Sequence, residues 1–231
     1  MNHVQCFLDF DHTLFDTDRF FHVDVRRAFR VFGIGDEVWD ESYRIAWRGG
    51  YNFEKHLQEI CKSREHELPV EKMREELRNS FSNLGPYLYP DVVPFLEAAQ
   101  KKNIPLYLLS FGDPGWQEYK VNASGLRGFF DSCFFTNKKE EKFTFIAPVI
   151  AGHSDGETRV ILVDDNAREL DHVKEELPFV ETYRMNRVPD EQMVAKDEEA
   201  RLLFLRGRLY AMEVARYSHH ACRTLEDIAL P

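Results

Sequence analysis

The feature that most constrains this chain is a series of short apolar runs set apart by helix-forming stretches. VQCFLDF (4–10), PLYLLS (105–110), SCFFT (132–136), RVILVDD (159–165) and FVETYRM (179–185) each have the length of a β-strand. The first run is apolar on both of its faces, as a strand in a parallel sheet covered on both sides must be. Helical patterns lie between the runs. Asp91 is placed to cap VVPFLEAAQKK, with Pro94 in the first turn. Asp113-Pro114 reads as a cap followed by a first-turn proline, and Gly125 as a stop. Ala167, Leu170, Val173 and Leu177 form one stripe. Strands alternating with helices predict an α/β architecture with right-handed crossovers.

The rhythm breaks between Phe15 and about Tyr89. VRRAFRVFG and VEKMREELRNSF are rich in helix formers, and no run there has strand character. The expected organisation is therefore a parallel-sheet core of residues 1–14 and 90–231, with a helical insertion over 15–89. Pro189 to Ser218 also has helical periodicity, with Leu202, Leu205, Leu209 and Met212 on one side, and is expected to pack on the core. At 231 residues, 43% of them hydrophobic and 30% charged, the chain is long enough and apolar enough for one large domain, or for a core plus an inserted one.

The formal net charge of −10 opposes phosphodiester backbones and anionic membranes, so nucleic acid and membrane are not expected partners. A small anion in a locally positive pocket is compatible with that charge. Cys6, Cys61, Cys133 and Cys222 are scattered, with no metal-binding spacing, as reduced thiols would be. His219-His220 has no third ligand at a useful spacing. The first residues lack the basic and apolar segments of a secretion signal, and no uninterrupted apolar segment is long enough to span a bilayer. A cytoplasmic location is the expectation. The oligomeric state is open.

Ligand sites in parallel sheets lie beyond the carboxyl ends of the strands. Three of the runs end there in polar residues: Asp9-Phe10-Asp11, Ser110 and Asp164-Asp165. Four carboxylates on one sheet edge repel one another unless a cation joins them. Hard oxygen ligands without thiolate or imidazole point to Mg²⁺. Mg²⁺ commonly shares substrate phosphate oxygens, which directs the reading to phosphoryl chemistry. Asp9 and Asp11 leave the strand on one side, so one can attack phosphorus while the other handles the leaving-group proton. Ser110 and the backbone amides of Phe111 and Gly112 are candidate phosphate donors, and a lysine of the KKEEK run is the candidate cation.

This set resembles the haloacid dehalogenase-like superfamily of phosphatases and phosphotransferases. FLDFDHTLFDT is similar to its first motif, a strand followed by DxDxT; LYLLSFG is similar to the second, and VILVDDN to the fourth. The resemblance implies a Rossmann-like core with an α-helical cap inserted after the first strand. It implies Asp9 as the nucleophile and Asp11 as the general acid/base, with its carbonyl on the metal. It further implies Thr13 as a brace for the loop, Ser110 on the phosphate, and Asp164 and Asp165 on Mg²⁺. Lys138, Lys139 and Lys142 all lie in range for the third motif. Lys142 stands at about the family's interval and just ahead of the helix FTFIAPVI. His12 replaces the commoner glycine between Asp11 and Thr13, and the segment after the lysine lacks the frequent Lys-Pro.

The activity this implies is an Mg²⁺-dependent phosphatase for a small phosphorylated metabolite. Its rivals are a phosphomutase or phosphotransferase of the same superfamily and a catalytically silent binding protein. Dehalogenation needs no metal and no second aspartate, so Asp11 speaks against it. Trp47, Arg48, Tyr51, Asn52 and His56 surround a Gly49-Gly50 break. The family reading makes this a specificity loop, with Arg48 and Tyr51 as substrate candidates; the other reading is packing inside the insertion. The substrate itself is not encoded in any motif.

Overall fold

A computed structural model describes residues 4–47, 50–62, 69–151, 158–187 and 213–230. Six parallel strands form one sheet: β1 (Val4–Leu8), β2 (Leu106–Phe111), β3 (Ser132–Thr136), β4 (Arg159–Asp164), β5 (Glu181–Met185) and β6 (His220–Cys222). Their order is β3-β2-β1-β4-β5-β6. The chain leaves β1 in one direction for β2 and β3, then returns to its other side for β4. The topological switch, where such sheets bind ligands, therefore lies beside β1. Leu8 pairs with Leu108 and Val163, which brings Asp9, Ser110 and Asp164 to the same carboxyl edge.

Both faces of the sheet are covered, as the unbroken apolar runs require. Along β1, Val4, Cys6 and Leu8 join one core cluster and Phe7 the other. Ile161 and Val163 alternate in the same way with Val160 and Leu162 on β4. Truncating one large side chain in such an interior costs about 3–5 kcal/mol.

After β1 the chain enters a helical stretch. A π-helix over Arg19–Val25 runs into α1 (Arg26–Val31), followed by α2 (Asp36–Ala46), α3 (Phe53–Lys62) and α4 (Val70–Ser80). Apolar residues three, four or seven apart turn inward: Trp39 and Ala46 on α2, Leu57 and Ile60 on α3, Met73 and Leu77 on α4. His56 is the centre of a buried polar group among these helices. His56 meets the Ser42 hydroxyl through Nε2 and the Tyr51 hydroxyl through Nδ1, each at 3.0 Å. Burial lowers the His56 pKa to about 3, so the ring is neutral. The helices around the sheet are α5 (Val92–Lys101), α6 (Pro114–Ala123), α7 (Phe143–Ala151) and α8 (Ala167–Glu176).

Several sequence expectations need correction. β1 ends at Leu8 and not at Phe10, because the chain turns there to form the loop that carries Asp9 and Asp11. Asp91 stands ahead of α5 but does not cap it. Its carboxylate instead binds Arg187 at 2.8 and 2.9 Å and the Leu225 amide at 2.6 Å. Arg187 in turn holds the Thr13 carbonyl through Nε and Nη2, tying the loop after β1 to the chain beyond β5. Most of the C-terminal helix expected over 189–218 lies outside the described residues; 213–218 are irregular. β6 is an addition that no periodicity announced. Among the described residues, no helix is long and apolar enough to cross a membrane.

Candidate active site

The loop after β1 is built by a left-handed residue. His12 has φ of 58°, a conformation that costs little for glycine and more for other residues. That explains why glycine is the commoner residue at this point of the motif. His12 is half-buried beside Asp18, with Nδ1 and the carboxylate 3.8 Å apart, and is not a fully solvated turn residue.

Asp9, Asp164 and Asp165 converge at the sheet edge, with carboxylate oxygens within 4.8 Å of one another. Lys142, buried at the start of α7, bridges two of them: its Nζ lies 2.7 Å from Asp9 Oδ1 and 2.6 Å from Asp164 Oδ2. The other Asp164 oxygen accepts the Asn166 amide at 2.8 Å, and Asn166 caps α8 through its own side chain. Burial and then Asp164 raise the Asp9 pKa to about 7, against the opposing pull of Lys142. Burial, reinforced by Asp164 and Asp9, lifts Asp165 well above the carboxylate range. Burial also disfavours the Lys142 charge, but Asp164, Asp9 and Glu169 outweigh it and keep the ammonium protonated. One ammonium cannot balance three carboxylates: with all three ionised, two negative charges would remain, which is why Asp9 and Asp165 hold their protons more tightly than usual. An all-oxygen donor set with that residual charge fits a hard divalent cation.

Asp11 has a separate environment. Lys120 Nζ lies 2.5 and 2.7 Å from its two carboxylate oxygens, Gln117 Nε2 donates at 2.8 Å and Thr17 Oγ1 at 2.6 Å. Burial pushes the Asp11 pKa up, but the Lys120 charge and these donors outweigh it, and the group stays below the ordinary carboxylate value. Sequence reasoning missed Thr17, Gln117 and Lys120. α6 turns Gln117, Lys120 and Val121 inward, a face too polar to register as a hydrophobic stripe. The available signal was a glutamine and a lysine three residues apart on the helix that follows the second motif.

The remaining sequence candidates separate clearly. The Ser110 and Thr13 hydroxyls are buried and have no hydrogen-bond partner among the described residues. The Gly112 amide, expected as a free anion donor, donates to the Thr136 carbonyl at 2.8 Å, because the chain continues alongside β3 for one residue past β2. Phe111 lines the site. Of the three candidate lysines, Lys142 enters the acid cluster. Lys138 pairs with exposed Glu141, and Lys139 lies over the rings of Trp47 and Phe111.

The site opens into a cavity of about 500 Å³ whose far wall comes from the inserted helices, including Asp18, Phe21, His22, Tyr43, Trp47 and Tyr51. His22 and Phe21 lie on the π-helix, a rare geometry that is frequent at functional sites. Tyr51 reaches the cavity while its hydroxyl is bonded to His56. Asn52 serves structure, accepting the Lys55 amide at the start of α3 and donating to Asp113 at 3.3 Å. His56 packs inside the insertion, and Arg48 lies outside the described residues. Gly50 meets the loop after β2 directly. A Cβ on Gly50, whose φ is +99°, would stand 2.6 Å from the Asp113 nitrogen; one on Gly112, at φ +151°, would stand 2.5 Å from Gln117 Nε2.

Comparison with known proteins accords with this arrangement. A haloacid dehalogenase-like hydrolase from Burkholderia xenovorans superposes with a TM-score of 0.63 at 17% identity, covering 92% of this chain and 100% of its own. The HAD-hydrolase YfnB from Bacillus subtilis, determined bound to magnesium, gives 0.61 at 16% identity, with coverage of 98% and 97%. L-2-haloacid dehalogenase from Xanthobacter autotrophicus, with chloropropionic acid covalently bound, gives 0.59 at 18% identity, with coverage of 98% and 96%. Identities this low carry the fold alone. No curated protein matches the sequence significantly. The haloacid dehalogenase-like hydrolase family model, however, matches residues 5–148, a span that contains Asp9, Asp11, Ser110 and Lys142. With well over half the chain under that match, the protein belongs to the haloacid dehalogenase-like hydrolase family.

Proposed function

We propose that the protein is an Mg²⁺-dependent phosphohydrolase acting on a small phosphorylated metabolite. The observation that carries this reading is the acid cluster at the sheet edge, where, among the described residues, Lys142 is the only cation in contact with Asp9 and Asp164, and Asp165 stands beside them. Asp9, Asp164 and Asp165, with the Asp11 carbonyl, would hold the ion. Bound there, Mg²⁺ would neutralise charge on the acids and on a phosphoryl group. Ser110, whose hydroxyl has no partner among the described residues, and Lys142 are the phosphate contacts in this reading, with Phe111 and Gly112 shaping the loop and Thr13 bracing it.

Asp9 attacks phosphorus, forming an acyl-phosphate bond as the ester P–O bond breaks. The departing oxygen takes its proton from Asp11, which must gain that proton with the substrate bound, because Lys120 and the other donors favour its ionised form in the free site. Water then attacks the same phosphorus, gives a proton to Asp11, and releases Asp9 and inorganic phosphate. Residues 15–89 act as the cap over this chemistry, and their cavity wall, Tyr51 included, selects the organic part of the substrate. A net charge of −10 suits a small soluble ester in the cytoplasm over nucleic acid or a membrane.

Turnover of 4-nitrophenyl phosphate with Mg²⁺ tests the reading. Asp9→Asn is expected to lower kcat by at least about 10³-fold. Undiminished turnover in that variant, or full activity of the wild type in excess chelator, defeats it. Halide release from a 2-haloacid without added metal would move the assignment to dehalogenation.

A further inference from the structure

Lys142 is not the only buried lysine at this site. Lys120 is 1% exposed, and among the described residues Asp11 is the only carboxylate within 4.0 Å of its ammonium. Its Nζ lies 5.1 and 5.7 Å from the ring centroids of Phe10 and Phe15, which cover the ammonium, while the Asp11 side chain stays 23% exposed toward the cavity. An isolated buried ion pair contributes little to stability compared with apolar side chains of the same volume. Stability is therefore a poor reason for a lysine here, and the geometry offers another. Asp11 Oδ1 accepts from Lys120 and Thr17, and Oδ2 from Lys120 and Gln117. Three donor groups thus make four contacts with one carboxylate and together fix its orientation. Gln117 also donates to the Phe111 carbonyl at 2.6 Å. The same side chain thus gauges the distance from Asp11 to the loop after β2.

We propose that Lys120 is a positioning residue for the reaction, with Gln117 as its companion, and that the pair aims the Asp11 carboxylate at the oxygen that enters or leaves phosphorus. This rests on the phosphohydrolase reading above. The acids at Asp9, Asp164 and Asp165 repel Asp11, and a free aspartate side chain would rotate away from them. Lys120 opposes that rotation with a fixed charge from the α6 side. Lys120 neither gains nor loses a proton in either step. In the first, the Asp11 proton passes to the departing oxygen as the Asp9–phosphorus bond forms and the ester P–O bond breaks. In the second, Asp11 takes a proton from water as the new P–O bond forms and the Asp9–phosphorus bond breaks. Misaiming a group by about 1 Å costs on the order of 10²-fold in rate.

The test is steady-state kinetics with Mg²⁺ on 4-nitrophenyl phosphate and on phenyl phosphate, whose leaving group is poorer. The wild type is compared with Lys120→Met, Lys120→Arg and Gln117→Leu, with phosphoenzyme measured by intact mass after acid quench. Lys120→Met is expected to lower kcat about 100-fold, with KM within about threefold, and to accumulate phosphoenzyme from 4-nitrophenyl phosphate because its hydrolysis is slowed. The loss should be larger on phenyl phosphate, and Lys120→Arg should recover at least about tenfold of it. Should Lys120→Met fail to fold, Gln117→Leu, which keeps the ion pair, carries the test with an expected loss in kcat of about tenfold at unchanged KM. Folded variants that turn over both esters at the wild-type rate, or that lose kcat and KM together without rescue by arginine, overturn the proposal alone. A wild type inactive on both esters, with no phosphoenzyme, overturns it together with the phosphohydrolase reading.

Discussion

The carboxyl edge of the sheet and the interior of the inserted helices both bury polar groups, but they complete them differently. Inside the insertion, His56 is neutral and has a hydroxyl on each ring nitrogen. Trp39 Nε1 is buried there without a partner among the described residues, but it carries no charge. At the sheet edge, three acids converge on one lysine, and among the described residues the hydroxyls of Ser110 and Thr13 have no partner. Buried groups left in this condition cost free energy unless something arrives to satisfy them, and charged groups cost the most. The difference separates an interior completed mainly by neutral groups from an edge whose charges are incomplete, without appeal to any motif.

The hardest blow to that contrast is Lys142→Met. It leaves Asp9 and Asp164 without their buried counter-charge, at a cost of about 3–5 kcal/mol in urea unfolding with chelator present. Turnover should fall by at least about 10³-fold. If this variant unfolds like the wild type in metal-free buffer, the edge is not electrostatically unfinished. Next in size is the ion itself. Mg²⁺ at about 100 times its dissociation constant should stabilise the wild type by roughly 2.7 kcal/mol, and Asp165→Asn should lose most of that gain. Equal shifts in melting temperature for the two proteins would place the ion elsewhere.

The smallest effect belongs to the insertion and sharpens the comparison from the other side. The folded-state pKa of His56 is about 3 against an ordinary 6.5. A depressed histidine binds fewer protons folded than unfolded between those values, so its stabilising effect is whole above 6.5 and is lost as the pH falls. At pH 5 the loss is about 2 kcal/mol. His56→Gln should remove the part of the profile in which stability rises with pH between 4 and 7, leaving the opposite slope set by the raised pKa values of Asp9 and Asp165, as followed by thermal unfolding. A profile identical to that of the wild type would mean that His56 does not titrate in that range.

Much of the core was legible because its signals are local. Five apolar runs marked five strands, and polar residues at their ends marked the edge where Asp9, Ser110 and Asp164 meet. Lys142 stood out among three lysines only through its position just ahead of a helix. What escaped depends on distance. Asp91 looked like a cap until Arg187, 96 residues away, claimed its carboxylate. Lys120 carried no signal because charged helical residues usually lie on the surface, and its partner lies 109 residues away. β6 is three residues, His-Ala-Cys, too short for any alternation to show.

Gly50 and the main chain at Gly112 and Asp113 touch without a side chain between them. Such a contact has no rotamers with which to adapt. Room for a bulkier compound therefore cannot be made at that point by trimming; whole helices would have to shift, and the neck of the cavity behaves as a gauge cut in backbone.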